Sequence, residues 1–136
     1  MYDKKVAIVV LDDLLLWQKL NIVSFLAGSI AISFPETHGG DFVTADGLKF
    51  LPFIKHPTLI YKAEGPEKIK RAFLRARDRE LAIGIYTRPL FDTRSGEENV
   101  EEIASKSVED LDLVGIIVYG ENKKVDKALD GLKFHQ

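Results

Sequence analysis

The sequence contains no cysteine and almost no net charge, and both absences limit what the protein can be. Without cysteine, neither a disulfide framework nor a thiolate metal site can form. The formal net charge of −2 gives no overall attraction to nucleic acid. The longest apolar stretch, Leu20–Phe34, is interrupted by polar residues and falls short of a membrane span. We therefore expect no membrane partner and predict a cytoplasmic location.

The chain also lacks the short motifs that mark common cofactor sites. It has no phosphate-binding glycine loop, no dinucleotide fingerprint, no nucleophile elbow and no zinc signature. His38 lies near Asp41 and Asp46, but this spacing matches no metal-ligand motif, and a polar loop is the better interpretation. We expect no cofactor and no metal.

What the chain does contain is an alternation of apolar strands and helices. Its 136 residues, 46% of them hydrophobic, suit one domain over residues 1–136. The pattern favours an α/β fold, in which strands linked by helices should be parallel neighbours. The predicted elements are strand Lys5–Leu11, helix Gln18–Ile32, edge strand Leu48–Ile54 after the turn at Asp46 and Gly47, strand Thr58–Ala63, a helix from Pro66 to about Arg79, strand Leu81–Tyr86, a short helix capped by Asn99, strand Leu111–Tyr119 and helix Lys123–Leu132.

The first strand, turn and helix provide the first candidate site. Ligands of open α/β sheets sit at the carboxyl ends of strands, and the helix after the first strand begins near Lys19 and Asn21. A lysine in the first helical turn adds its charge to the free N–H groups there, which favours a phosphate, a carboxylate or an oxyanion. The structural alternative is an exposed lysine beside a capping asparagine.

Large apolar side chains immediately precede these polar residues. Leu14–Trp17 is unusual for a loop, because such residues need to be covered. They either pack under the helix or form the wall of a binding pocket, and we assign Trp17 to that wall.

A second candidate follows the strand Leu81–Tyr86. Thr87 and Arg88 stand at its carboxyl end, where an arginine can hold a phosphate or carboxylate through two hydrogen bonds. A solvated loop is the alternative. The basic residues of the second helix could follow RNA, but acidic residues dilute them and a solvated helix face is the default.

Three segments resemble a known family. Lys4–Val10, Leu16–Leu26 and Ala45–Gly47 are similar to the bacterial family called domain of unknown function 2000, and Trp-Gln-Lys-Leu-Asn before an apolar helix is the most specific part. The resemblance covers most of the chain. That family in turn resembles type II peptidyl-tRNA hydrolase, which implies a mixed four-stranded sheet between helices.

The resemblance also matches individual residues of this chain to positions in the motifs of the hydrolases. Lys19 matches the first lysine of the hydrolases' Gly-Lys-Gly-Lys pattern, and Asn21 stands at the second. Phe25 and Gly28 stand where the hydrolases have glutamine and histidine, and Arg88 echoes their Asp-Ala-Gly-Arg-Thr pattern. The resemblance therefore implies tRNA as a partner and a catalytic role for Lys19.

Three hypotheses follow. The first is a binding module that holds a small anionic ligand between Trp17, Lys19, Asn21 and the loop of Thr87 and Arg88. The second is a hydrolase or transferase for an ester or amide such as peptidyl-tRNA, with Lys19 stabilising the oxyanion and Asp12 or Asp92 as the base. The third is an interaction module whose apolar helix one and Leu14–Trp17 bury either a partner protein or a second copy of the chain, as a homodimer.

Overall fold

The computed structural model describes residues 2–136. Its helices and strands in chain order are β1 (Lys4–Leu11), α1 (Leu16–Ser33), β2 (His38–Val43), β3 (Lys49–Ile54), β4 (Thr58–Ala63), α2 (Pro66–Asp78), β5 (Ala82–Thr87), α3 (Gly96–Ala104), β6 (Leu113–Glu121), α4 (Asn122–Ala128) and β7 (Lys133–Phe134). The predicted α/β class is confirmed. No helix within residues 2–136 is both long and apolar enough to cross a membrane.

The main sheet is mixed and has five strands in the order β5-β6-β1-β4-β7. The count of four strands that the resemblance implies is wrong, because the two-residue strand β7 pairs with β4 and adds a fifth strand. β1 and β4 are parallel neighbours as predicted. The expectation that strands linked by helices are parallel neighbours is wrong for two other pairs. β5 and β6 are linked by α3 but pair antiparallel, and β4 and β5 are linked by α2 but are not neighbours.

β1 is the centre of the core because it is apolar on both faces. Val6, Ile8 and Val10 pack on the side of α1, together with Ile22 and other buried residues of that helix. Ala7 and Val9 point to the opposite side, where they meet the buried faces of α2 and α4. A continuous apolar run is what a strand covered on both faces requires.

Helix α1 lies very close to the sheet. A Cβ atom added to Gly115 of β6 would overlap the side chain of Ile22, and one added to Gly84 of β5 would lie 2.9 Å from Ser29 Oγ. Neither glycine has a positive φ. These glycines are therefore explained by the space that the helix occupies.

Two helix starts differ from the predicted ones. α1 begins at Leu16, where the Gln18 side chain accepts a hydrogen bond of 3.0 Å from the Leu15 N–H. α3 is capped by Ser95, whose Oγ accepts from the Glu98 N–H at 3.2 Å. The prediction of Asn99 as the cap is wrong, because Ser95 already provides the hydroxyl that the first turn needs.

The segment between α1 and β4 forms a separate two-stranded sheet of β2 and β3. The turn predicted at Asp46 and Gly47 joins the two strands, and Gly47 has a φ of +90°. Pro52 lies in β3, which has only one neighbour, as expected for a strand that contains proline.

The contrast between buried and exposed positions on α1 can be tested. We expect Leu26→Ala to lower the free energy of unfolding by about 2–5 kcal/mol, because Leu26 is fully buried and the change leaves a cavity. Ile32→Ala, on the exposed side of the same helix, should change it by less than about 0.5 kcal/mol. Chemical denaturation of both variants measures the difference, and equal losses would contradict this packing.

Candidate functional site

A cluster of three polar side chains lies at the carboxyl end of β1. Lys19, in the first turn of α1, places its Nζ 3.2 Å from Asp12 Oδ1 and 3.1 Å from His135 Nε2. His135 Nε2 is 4.0 Å from the same Asp12 oxygen. Asp12 directly follows β1, Lys19 lies in α1 and His135 directly follows β7, so three separate parts of the chain converge on one point.

The hydrogen bonds of His135 favour one tautomer of its imidazole ring. His135 Nδ1 lies 2.9 Å from the main-chain oxygen of Gln136, which can only accept, so Nδ1 carries the hydrogen. In the neutral imidazole, Nε2 then accepts from the Lys19 ammonium. Lys19 thus donates two hydrogen bonds and keeps a third N–H for another acceptor.

Asp12 responds electrostatically to this arrangement. The hydrogen bond from Lys19 lowers the pKa of the Asp12 carboxyl below its usual range, and the charges of Lys19 and Lys62 act in the same direction. Asp12 is therefore a carboxylate at neutral pH.

Beside the cluster lies a cleft with mostly apolar walls. Its volume is about 240 Å³, and it is lined by Val10, Leu16, Lys19, Leu20, Val23, Ile60, His135 and Gln136. The Lys19 side chain is only 15% exposed, so its ammonium group is held at the wall of the cleft and does not extend into solvent. An apolar cavity with a few convergent polar groups is the usual form of a small-molecule site.

A larger cavity between α2 and α4 does not have this character. The cavity of about 420 Å³ between α2 and α4 is lined only by charged residues, namely Arg75, Arg79, Asp126, Lys127 and Asp130. Such a surface holds little apolar area for a ligand to bury, so the smaller cleft is the better candidate.

The structure does not bring all the predicted residues together. Asn21 points to the other flank of α1, where its Nδ2 donates to the Tyr86 hydroxyl at 3.0 Å. Trp17 lies on the same flank, with its ring centroid 5.8 Å from that of Phe91. Burial raises the pKa of the Tyr86 hydroxyl, although the bond from Asn21 opposes the change. Trp17 and Asn21 are therefore separated from Lys19 by the helix itself.

Thr87 is the last residue of β5 and Arg88 directly follows it, on the Asn21 flank. Thr87 is buried, and the Arg88 guanidinium forms an exposed ion pair of 3.2 Å with Asp112. β5 and β4 stand on opposite sides of β1 and β6, so Arg88 and the Lys19 cleft are at different parts of the sheet. The single pocket expected between Lys19, Asn21, Thr87 and Arg88 is not formed.

The structure places the apolar residues before and at the start of α1 in two different environments. Leu14 is half-buried under α1, whereas Leu15, Leu16 and Trp17 stay exposed at the helix start. His135 was not among the residues predicted from the sequence. The alternation of apolar and polar residues in Leu132–His135 was the available signal for a short strand. Within residues 2–136, no group of three metal-binding side chains is close enough to hold an ion.

The fold and this cleft define a small α/β protein with one mixed sheet between helices. The chain belongs to the family of proteins of unknown function DUF2000, whose family model matches residues 4–136. A protein of unknown function from Agrobacterium tumefaciens strain C58 has a solved structure that is 27% identical, with 100% of both chains covered and a TM-score of 0.94. No curated protein matches the chain.

The pairing of Asp12 with Lys19 makes a testable electrostatic prediction. We expect Lys19→Met to raise the pKa of Asp12 toward the ordinary aspartate value, and Lys62→Met to raise it by less. Because the folded-state pKa is lowered, the pair stabilises the fold above the ordinary aspartate pKa, and this contribution is lost as the pH falls through the lowered value. Carboxyl-detected NMR titration measures the shift, and an unchanged pKa in Lys19→Met would refute the pairing.

Proposed function

We propose that the protein binds a small anionic ligand that also carries an apolar portion, in the cleft beside Lys19. The observation that carries this proposal is the position of the Lys19 ammonium at the wall of a mostly apolar cleft. The charge would meet the anionic group, and Val10, Leu20 and Ile60 would cover the apolar part.

The number of donors at Lys19 supports an anion as the partner. Asp12 and His135 use two of its three N–H groups, so one is left to donate to a ligand. The first N–H groups of α1, at Leu16 and Trp17, have no acceptor within the helix and add the positive end of its dipole. A carboxylate or phosphate at the cleft mouth is favoured by both effects.

Asp12 restricts which anions fit. Its negative charge already balances that of Lys19, so an anion gains little from net charge and depends on apolar contacts for its affinity. This favours an amphipathic carboxylate or phosphate monoester over a bare inorganic ion.

The ligand class can be tested with hexanoate, hexanol and inorganic phosphate. We expect hexanoate to shift the NMR signals of Leu16, Leu20 and Val23, and Lys19→Met to weaken its binding by about tenfold, as for loss of one charge-assisted hydrogen bond. Hexanol and phosphate should each bind more weakly, because hexanol lacks the anionic group and phosphate lacks the apolar chain.

Two variants serve as controls for this experiment. Lys106→Met removes an equally charged but distant lysine just after α3 and should leave hexanoate binding unchanged. Arg88→Met distinguishes the cleft from the pocket expected from sequence. If Arg88→Met weakened binding while Lys19→Met did not, the cleft would not be the site.

A second candidate function is hydrolysis of an ester or amide, and the observation that favours it is the base beside Lys19. Asp12 is a carboxylate, and either it or His135 could take a proton from water, while Lys19 stabilises the oxyanion. The resemblance to peptidyl-tRNA hydrolase makes peptidyl-tRNA the first substrate to examine, with tRNA as the partner. Asp92, the other base considered, lies in the turn that follows β5 and is not part of this cluster.

The catalytic candidate makes its own prediction. With peptidyl-tRNA or a hexanoyl ester as substrate, Lys19→Ala should lower kcat by about 10²-fold or more, as for loss of an oxyanion donor. Asp12→Asn should also reduce the rate if Asp12 is the base. Turnover that is indifferent to Lys19→Ala would end this candidate, whereas hexanoate binding without any turnover would leave the binding function alone.

A further inference from the structure

The two-stranded sheet of β2 and β3 exposes an unusual amount of apolar surface. We define the hairpin surface as Phe42, Val43, Leu48, Phe50, Leu51 and Phe53. Each of these side chains is at least 43% exposed, and Leu51 reaches 84%. Every residue from Gly40 to Phe53 is exposed. A segment of this length with no buried side chain has no core of its own.

The three phenylalanines lie on one face of the hairpin. Phe42 and Phe50 are directly opposite each other in the antiparallel pairing, which places both side chains on the same side. The rings of Phe42 and Phe53 are stacked with centroids 4.5 Å apart. Leu51 has no pairing partner, because Asp41 pairs with Pro52 and Phe42 with Phe50, so the strand bulges there.

The amount of surface suits a protein interface. Taking about 200 Å² for a large, fully exposed apolar side chain and scaling it by these exposures, the six side chains offer roughly 700 Å² of apolar area. This is above the about 300–600 Å² of the largest patch on a monomer, and close to the ~800 Å² per partner of a standard interface. A lone two-stranded hairpin is also only marginally stable in water, so covering it would stabilise it.

The charge of the hairpin indicates the kind of partner. Residues 38–55 contain two aspartates, Asp41 and Asp46, and two lysines, Lys49 and Lys55, so their formal charge is zero. A nucleic acid or an anionic membrane would be expected to select basic residues around the aromatic face. A neutral, self-complementary aromatic face fits a second copy of the same chain, because a two-fold axis brings the same patch to both sides.

We propose that the protein forms a two-fold symmetric dimer in which the phenylalanine face of one hairpin packs against that of its partner. The interface is the hairpin surface and not the apolar start of helix α1. The two Lys19 clefts belong to other parts of the fold, so each protomer keeps its own.

Sedimentation equilibrium at micromolar concentration tests the dimer. The parent protein should be dimeric, and Phe50→Thr should raise the dimer dissociation constant by more than about tenfold, as for truncation of a central aromatic contact. Threonine keeps a high preference for strands, so the hairpin should still form. The matched control is Leu15→Ser, which removes an exposed apolar residue at the start of α1 and should leave the dimer intact.

A covalent test keeps the proposal open to refutation if Phe50→Thr unfolds the hairpin. Because the chain has no cysteine, Leu51→Cys introduces a single thiol, which we expect to form a disulfide-linked dimer on mild oxidation, whereas Leu15→Cys should not. A monomeric parent protein would overturn the proposal. So would a dimer that is lost in Leu15→Ser and kept in Phe50→Thr, since that would place the interface on α1.

Discussion

The burial of β1 on both faces is the constraint on which the rest of this structure depends. A strand whose every side chain from Val6 to Leu11 is buried must have helices on both sides, and it must have hydrogen-bonded neighbours at both edges. α1 meets one face, and α2 with α4 meets the other. The polar residues that follow β1 then emerge at the carboxyl end of this central strand, beside the start of α1.

The geometry of the candidate site follows from this packing of β1 and α1. The Asp12 N–H donates to the Ala63 carbonyl at 2.8 Å, so the first residue after β1 is still tied to β4. The turn from Asp12 to Leu15 then leads directly into α1, which fixes Lys19 only a few residues further on. A rigid strand end and a rigid helix start hold the carboxylate and the ammonium group within hydrogen-bonding distance, and no loop has to be ordered for them to meet.

The sequence allowed the local part of the site to be predicted and gave little on the distant part. Asp12 and Lys19 are seven residues apart in a strand, turn and helix, so their proximity follows from the local pattern. His135 arrives from the far end of the chain through β7, and a two-residue strand has almost no periodicity to recognise. Lys19 and Asn21 face different flanks of α1, because residues two apart lie about 200° apart around a helix, and this separation follows from the sequence alone. The five-strand order, in contrast, depends on long-range pairing that strand patterns do not specify.

The candidate site is complete only while β7 stays paired with β4. The last segment is held to β4 by pairs at Tyr61 and Lys62, by the bond from the His135 N–H to the Ile60 carbonyl, and by the stacking of Phe134 on Tyr61. So few contacts can open at much lower free energy than the whole domain. When the segment detaches, the cleft loses the His135 and Gln136 side of its wall and Lys19 loses one acceptor. The measured affinity for a ligand would then equal the intrinsic affinity multiplied by the fraction of molecules in which the segment is docked. Residues at this edge of the sheet that never touch the ligand can therefore set how tightly it binds.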